Sequence, residues 1–264
     1  MNFEKQSVLA FFIIAATSGT LVGCKIAFPE SPSSFEGQFY SGEAHKIADF
    51  SQGLSPLFHA SNGYSNGGMF DCVWNQRNVT IGEDQLLHLS ITRENGAIQA
   101  GEYRTWAMYG YGYYSVKMKA ISRPGIVSSF FVYTGPSDGN PWHEIDIEFL
   151  GKDTTKVQFN YFTNGIGGHE YLYSLGFDAF EELHEYGFLW EEHKITWFVD
   201  GASVYQATTE IPYCQAKMMV NAWPGKSEGN QQVTDWSGKF DQKFPVPDAT
   251  YAWIGYESLD EKNE

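Results

Sequence analysis

The stretch KITWFVDGASVYQA (Lys194–Ala207) places two runs of β-branched and aromatic residues on either side of Asp200-Gly201. A tight two-residue hairpin turn of type I′ needs positive φ at both central positions, and Asp-Gly accepts that conformation. The stretch therefore predicts two antiparallel strands. Working outward, YGYYSVKMKA (Tyr111–Ala120), GIVSSFFVY (Gly125–Tyr133) and VQFNYF (Val157–Phe162) are runs of the same kind between Gly, Asn and Asp turns. Helical periodicity is scarce, and only Phe180–His184 is expected to make a turn of helix. Many short strands at regular spacing predict an all-β fold, a sandwich of antiparallel sheets.

The 264 residues are 42% hydrophobic and 17% aromatic, which suits one core in one domain. Lys and Arg number 17 against 32 Asp and Glu, a net charge of −15, so nucleic acid or an acidic glycan would be repelled over most of the surface, and a neutral or cationic partner is favoured. Eight Trp, sixteen Tyr and twenty Phe exceed what a core needs and suit stacking on sugar rings. At the N-terminus, Lys5, an apolar run from Val8 to Ala16 and small residues before Leu21-Val22-Gly23-Cys24 predict an export signal too short to anchor in a bilayer. LVGC resembles the bacterial lipobox, in which Cys24 would carry the lipid; the alternative is an ordinary cleaved signal. Residues 1–23 are thus expected to be a lipoprotein signal peptide, 24–45 a Pro/Ser/Gly-rich tether, and 46–264 the folded domain. The expected location is outside the cytoplasm, at a bacterial surface or in the periplasm through a lipid anchor, or secreted without one.

In WHEIDIEF (Trp142–Phe149), strand geometry sends Glu144, Asp146 and Glu148 to one face and Ile145, Ile147 and Phe149 to the other. Three like charges in line cost stability, so the pattern calls for a use. A solvated face or a calcium-binding strip is one. A pair of carboxylates flanking a glycosidic oxygen is another, one attacking the anomeric carbon while the other protonates the leaving group. Cα atoms four residues apart lie about 13 Å apart along a strand, so two Glu side chains would lean together over a curved sheet. A third acid between them would separate their pKa values, with titrations shared across the group.

EIDIEFLGKDTTKVQFNYFTNG, with GIVSSFFVYTGP before it and KITWFVDG after it, resembles the lichenase branch of glycoside hydrolase family 16. These are endo-β-1,3-1,4-glucanases with a β-jelly-roll fold of two antiparallel curved sheets, and the likeness runs from about Asn62 to Tyr256. It implies a retaining hydrolase of mixed-linkage β-glucan that acts as a monomer and requires no cofactor. It also implies Glu144 as nucleophile, Glu148 as general acid/base and Asp146 as the assisting group. By the same resemblance Asn66, Glu102, Arg104, Tyr133, Trp142, Gln158, Asn160 and Trp223 line the substrate cleft, Trp142 and Trp223 as stacking faces. The uninterrupted Glu-x-Asp-x-Glu also resembles that of xyloglucan-active relatives, so a transglycosylase is a second reading. A non-catalytic glycan-binding lipoprotein is a third.

Departures from the family pattern carry expectations too. Cys72 has its resemblance-implied disulfide partner replaced by Ala100, leaving Cys72 and Cys214 to pair or to stay free. The family's structural calcium draws on an Asp in a Tyr-Asp-Trp motif; Tyr251-Ala252-Trp253 would leave calcium to backbone oxygens. His143 stands where an Asp often precedes the first catalytic Glu, and Phe162 replaces a Tyr. Gly63-Tyr64-Ser65-Asn66-Gly67 has the GxSxG spacing of a serine hydrolase but lacks a following helix. No HExxH or comparable spacing occurs among the seven His, so no metal ligand is assigned.

Overall fold

A computed structural model describes residues 40–259. The signal sequence, Cys24 and most of the expected tether lie outside the described residues. The strands are β1 (Lys46–Asp49), β2 (Phe58–Ala60), β3 (Val73–Trp74), β4 (Val79–Ile81), β5 (Leu87–Leu89) and β6 (Ile91–Glu94). They continue as β7 (Ala97–Thr105), β8 (Gly112–Lys119), β9 (Ile126–Thr134), β10 (His143–Leu150), β11 (Lys156–Phe162) and β12 (Tyr171–Ser174). After them come β13 (His184–Glu191), β14 (Lys194–Val199), β15 (Ala202–Ala207), β16 (Lys217–Pro224) and β17 (Ala249–Ser258), with one α-helix, α1 (Gln231–Ser237).

These strands form the two sheets of a jelly roll. One runs β12-β11-β10-β9-β16-β7-β2, with β3 and β6 also on β7; the other runs β15-β14-β13-β8-β17-β5-β4, with β1 on β17. Within each, all pairs are antiparallel except the short parallel contact of β3 with β7. The Asp200-Gly201 hairpin forms as expected, with φ of 46° and 79° at the two turn residues.

The alternation in β10 does what strand geometry requires. Ile145, Ile147 and Phe149 are fully buried against the second sheet, where Tyr186, Phe188 and Trp197 are equally buried. Contacts across the sandwich include Phe149 with Tyr186 (ring centroids 4.8 Å apart) and Phe130 with Phe188 (5.9 Å). Each such apolar side chain contributes roughly 1.5–3 kcal/mol on burial. Trp197 Nε1 also donates to the Asp146 carbonyl at 3.2 Å, so the second sheet holds the back of the acidic strand by a hydrogen bond as well as by packing.

Two local expectations are corrected. Phe180–Leu183 is a turn and His184 already begins β13. The Asp178 carboxylate accepts from Phe180 N–H and Thr154 Oγ1, which holds the turn in place of helical bonds. The helix forms instead at α1, where Asn230 Oδ1 caps Val233 N–H at 3.2 Å. Residues 40–45, assigned to the tether, pack onto the fold. Tyr40 lies 5.1 Å from Tyr113 and 5.3 Å from Phe198, and Gly42 N–H donates to Glu185 at 2.6 Å. A Cβ on Gly42 would fall 1.6 Å from Ser115 Oγ, so the small residue that looked like spacer is demanded by close packing. Cys72 and Cys214 are both free thiols.

Candidate active site

Cross-strand register arranges the face of the β10 sheet that points away from the core into rows. One row reads Gln158, Glu148, Ser129, Asn221, Glu102 across β11, β10, β9, β16 and β7. The next reads Asn160, Asp146, Phe131, Met219, Arg104 and, on β2, His59. A third reads Phe162, Glu144, Tyr133, Lys217. Although this face points outward, Asp146 is 4% exposed, Asn160 5% and Gln158 7%, so it forms the floor of a walled trough. Strand alternation together with register thus gathers Glu144, Asp146, Glu148, Tyr133, Gln158, Asn160, Glu102 and Arg104 onto one surface.

Each acid has its own partner. Trp142 Nε1 donates to Glu144 at 2.6 Å, its ring stacked on Phe162 with centroids 4.6 Å apart. Gln158 Nε2 donates to Glu148 at 2.8 Å, while Gln158 Oε1 accepts from Trp236 Nε1 at 3.1 Å. Burial raises all three carboxyls. Glu144 reaches about 7, restrained by hydrogen bonds from Trp142 and Asp146 and pushed further by the charge of Glu102. Glu148 reaches about 8, through burial and then the charge of Glu144, with Gln158 pulling it down. Asp146 goes well above the ordinary range, through burial and the charges on both neighbours, and donates its proton to Glu144. Near neutral pH this arrangement favours an anion on Glu144, a proton on Asp146 and a proton on Glu148, and the three titrate together. Tyr133, opposite Glu144, is pushed up to about 12 by burial and that same charge.

Other expected cleft residues take different positions. Glu102, 3% exposed, accepts from Ser61 Oγ at 2.6 Å, Tyr64 Oη at 3.4 Å and Asn221 Nδ2 at 3.3 Å, so its carboxylate is engaged by protein groups. Trp223 is 3% exposed, covered by Phe70 (centroids 4.0 Å apart) and Trp236 (6.0 Å), and offers no free face; this corrects the stacking role expected of it. Trp142 likewise has one face covered by Phe162 and its N–H on Glu144, which makes it a holder of the acid more than an open platform. Asn66 is exposed, with Oδ1 accepting from Trp74 Nε1 at 3.0 Å. Arg104 Nε donates to His59 Nε2 at 3.2 Å. Asn160 Oδ1, buried beside Asp146, has no hydrogen-bond partner.

Trp236, Ser129, Asn221 and Glu170 went unassigned from sequence. Trp236 reaches Gln158 from α1; Ser129 Oγ bonds Asn221 Oδ1 at 2.5 Å beside Glu148; the charge of Glu170 is felt by Asp146 and Glu148. The polar Ser129 in GIVSSFFVY and Asn221 in MMVNAW, set among apolar strand residues, were the available signal. Gly63–Gly67 is loop, with Ser65 Oγ accepting from Gly67 N–H at 3.1 Å, so no nucleophile elbow forms. For calcium, Ala252 supplies no side-chain oxygen, and among the described residues no group of three His, Cys, Asp or Glu side chains is placed to hold a metal ion.

Comparison with known proteins places this geometry. The pattern of the glycosyl hydrolases family 16 matches residues 66–238. A Beta-glucanase of Acetivibrio thermocellus is 50% identical over 227 residues, covering 83% of this chain and 66% of the relative. A Xylanase/beta-glucanase of Ruminococcus flavefaciens is 49% identical over 222 residues, 81% of this chain but 27% of the relative. The chain thus spans about a quarter of the second relative's length and just under two thirds of the first's. Among solved structures, a prokaryotic beta-1,3-1,4-glucanase (lichenase) from a mouse hindgut metagenome superposes with a TM-score of 0.75 at 47% identity, covering 80% of this chain and 98% of the other.

Proposed function

This chain belongs to the glycosyl hydrolases family 16, and on that premise we propose that it is an endo-acting, retaining hydrolase that cuts β-1,4 bonds in mixed-linkage β-1,3-1,4-glucan. The observation that carries the proposal is the unequal pair on one face of β10: Glu144 accepts from Trp142 Nε1 at 2.6 Å and from Asp146, donors that favour its anion, while Glu148 faces the charge of Glu144, which favours its proton, so ionisation is directed to Glu144 first. That order suits a nucleophile and a proton donor. The name lichenase on a relative of 47% identity supports the choice of mixed-linkage glucan.

In the first step a Glu144 oxygen bonds to the anomeric carbon while the bond to the leaving oxygen breaks and Glu148 gives that oxygen its proton. Asp146, protonated and hydrogen-bonded to Glu144, steadies the carboxylate before attack. In the second step Glu148, now ionised, takes a proton from water, and the hydroxide bonds to the anomeric carbon as the ester to Glu144 breaks. Both carboxyls return to their starting states, and the two inversions give net retention. Export, read from Lys5, the apolar run Val8–Ala16 and the small residues that follow, and acylation of Cys24, read from LVGC, belong to the same proposal. Metabolic labelling with a fatty acid should mark the protein and should be lost in Cys24→Ser.

The test is release of reducing ends by the purified protein from cereal mixed-linkage β-glucan, with laminarin, cellulose and xyloglucan in parallel and an acceptor oligosaccharide added in one arm. Release from mixed-linkage glucan alone, a β-configured first product by NMR, and silence in a folded Glu144→Gln variant are expected. Transfer to the acceptor in preference to water would replace hydrolysis by transglycosylation. Glycan retention without any released ends would reduce the protein to a binder.

A further inference from the structure

The row that holds Glu144 continues past Lys217. Thr105 pairs with Phe58, and Trp106 N–H donates to the Leu57 carbonyl at 3.0 Å, so the register carries Trp106 level with Lys217 and onto the same outward face. Trp106 is 65% exposed, whereas Trp223 is 3% exposed and Trp142 and Trp236 have their N–H groups engaged by Glu144 and Gln158. Its indole is nevertheless held in place: it stacks on His59 with centroids 3.7 Å apart and planes 19° from parallel. His59 is fixed in turn, because Arg104 Nε donates to its Nε2 at 3.2 Å. An imidazole that accepts at Nε2 is neutral, as burial and the nearby charges of Arg104 and Lys217 also favour.

A large flat apolar ring held in one orientation from behind and open in front is pre-set to stack on a flat apolar face of a ligand, with little side-chain freedom left to lose. The acids lie along β10, and the polar and aromatic groups beside each one extend away from it across β9, β16 and β7, so a chain that crosses the strands follows a row, and the row of Glu144 leads through Tyr133 and Lys217 towards Trp106. Trp106, directly after the end of β7, lies three strands from β10, about 14 Å at ordinary strand spacing. A glycan laid along the row from Glu144 would reach it after a few sugar units. The apolar carbon–hydrogen face of a β-glucopyranosyl ring matches the indole in shape and polarity. A neutral glucan also avoids the repulsion that a net charge of −15 would impose on an acidic polymer.

We infer that Trp106, backed by His59 and Arg104, is an outer sugar-binding platform that stacks on a glucosyl unit of the bound β-glucan remote from the bond being cut. The inference rests on the proposed glucanase reading for its ligand, and makes Trp106 a determinant of preference for long chains over short ones.

The test measures kcat and KM of wild type, Trp106→Ala, Trp106→Phe and His59→Ala on mixed-linkage polymer and on the shortest oligosaccharide hydrolysed, with thermal unfolding as a check of folding. For Trp106→Ala, KM on the polymer should rise roughly three- to tenfold with kcat held, and the ratio of polymer to oligosaccharide kcat/KM should fall by the same factor. Trp106→Phe should restore part of the loss and His59→Ala should reproduce part of it. Equal change on both substrates, or no change, overturns the platform. If the wild type cut none of the glucans offered, the glucanase reading would fail by itself. The platform would then be judged by mobility of the protein in gels containing mixed-linkage glucan: retardation lost in Trp106→Ala supports it, and equal mobility overturns it. A dimer seen by sedimentation in the wild type and dissolved by Trp106→Ala would also overturn it, assigning the indole to self-contact.

Discussion

Replacing Trp142 by Phe keeps a ring against Phe162 but removes the 2.6 Å hydrogen bond to Glu144. A hydrogen bond to a charged group contributes about 1.5–3 kcal/mol, and 1.36 kcal/mol corresponds to one pKa unit, so the Glu144 carboxyl should rise by about one to two units. The direction is upward because the lost donor favoured the anion. From about 7, Glu144 would then meet or pass Glu148 at about 8. The productive form needs Glu144 ionised and Glu148 protonated. With the order reversed its largest attainable population falls roughly two- to tenfold, and on the acid side kcat/KM falls roughly ten- to a hundredfold. The assay is the pH profile of kcat/KM on soluble mixed-linkage glucan from pH 5 to 10. The acid limb should move upward and the peak should shrink and shift to higher pH. An acid limb left in place, with activity lowered equally at every pH, would refute the reasoning and assign Trp142 to substrate contact.

Three further outcomes follow from the geometry. Gln158→Leu removes the donor to Glu148 and should move the alkaline limb of the same profile upward, opposite in effect to Trp142→Phe, which moves the acid limb; a fixed alkaline limb would separate Glu148 from proton donation. Ile147→Ala opens a cavity behind the catalytic strand at a fully buried site and should cost about 2–5 kcal/mol in urea unfolding, with the Michaelis constant unchanged in the folded fraction. His88 sits between Asp84 (2.9 Å) and Asp248 (3.0 Å), and although burial opposes its charge, those two hydrogen bonds hold its pKa above the usual value. Its stabilising contribution is present below about pH 6.5 and fades as pH rises through the folded-state value, so His88→Gln should lower the melting temperature at pH 5.5 and have little effect at pH 9.

Local pattern carried far in this chain wherever neighbours in sequence are also neighbours in space. The alternation of Glu144, Asp146 and Glu148 with Ile145, Ile147 and Phe149 defined both the buried and the chemical face of β10, because side-chain direction in a strand repeats every two residues. The Asp200-Gly201 turn was legible for the same reason, its positive φ values being a property of two adjacent residues. Tyr40–His45 was misassigned because Gly42 looks flexible by itself, and only the approach of Ser115 shows why no larger residue fits.

What only the tertiary structure decided is whatever depends on register between distant strands. Sequence marked Glu102 and Trp223 as cleft residues, but whether a side chain on the right face is open or covered depends on Ser61, Tyr64, Asn221, Phe70 and Trp236, which arrive from other segments. Helix α1, seven residues long and without a periodic apolar face, gave little pattern from which to place Trp236 against Gln158. The row joining Glu144 to Tyr133, Lys217 and Trp106 combines the neighbouring strands β9 and β10 with β16 and with the residue that follows β7, both distant from them in the chain. Residue types and their alternation specified the chemistry, since they are local. The partners that tune each acid and the reach of the trough were decided by pairing, since hydrogen-bonded register is a long-range property that no single segment contains.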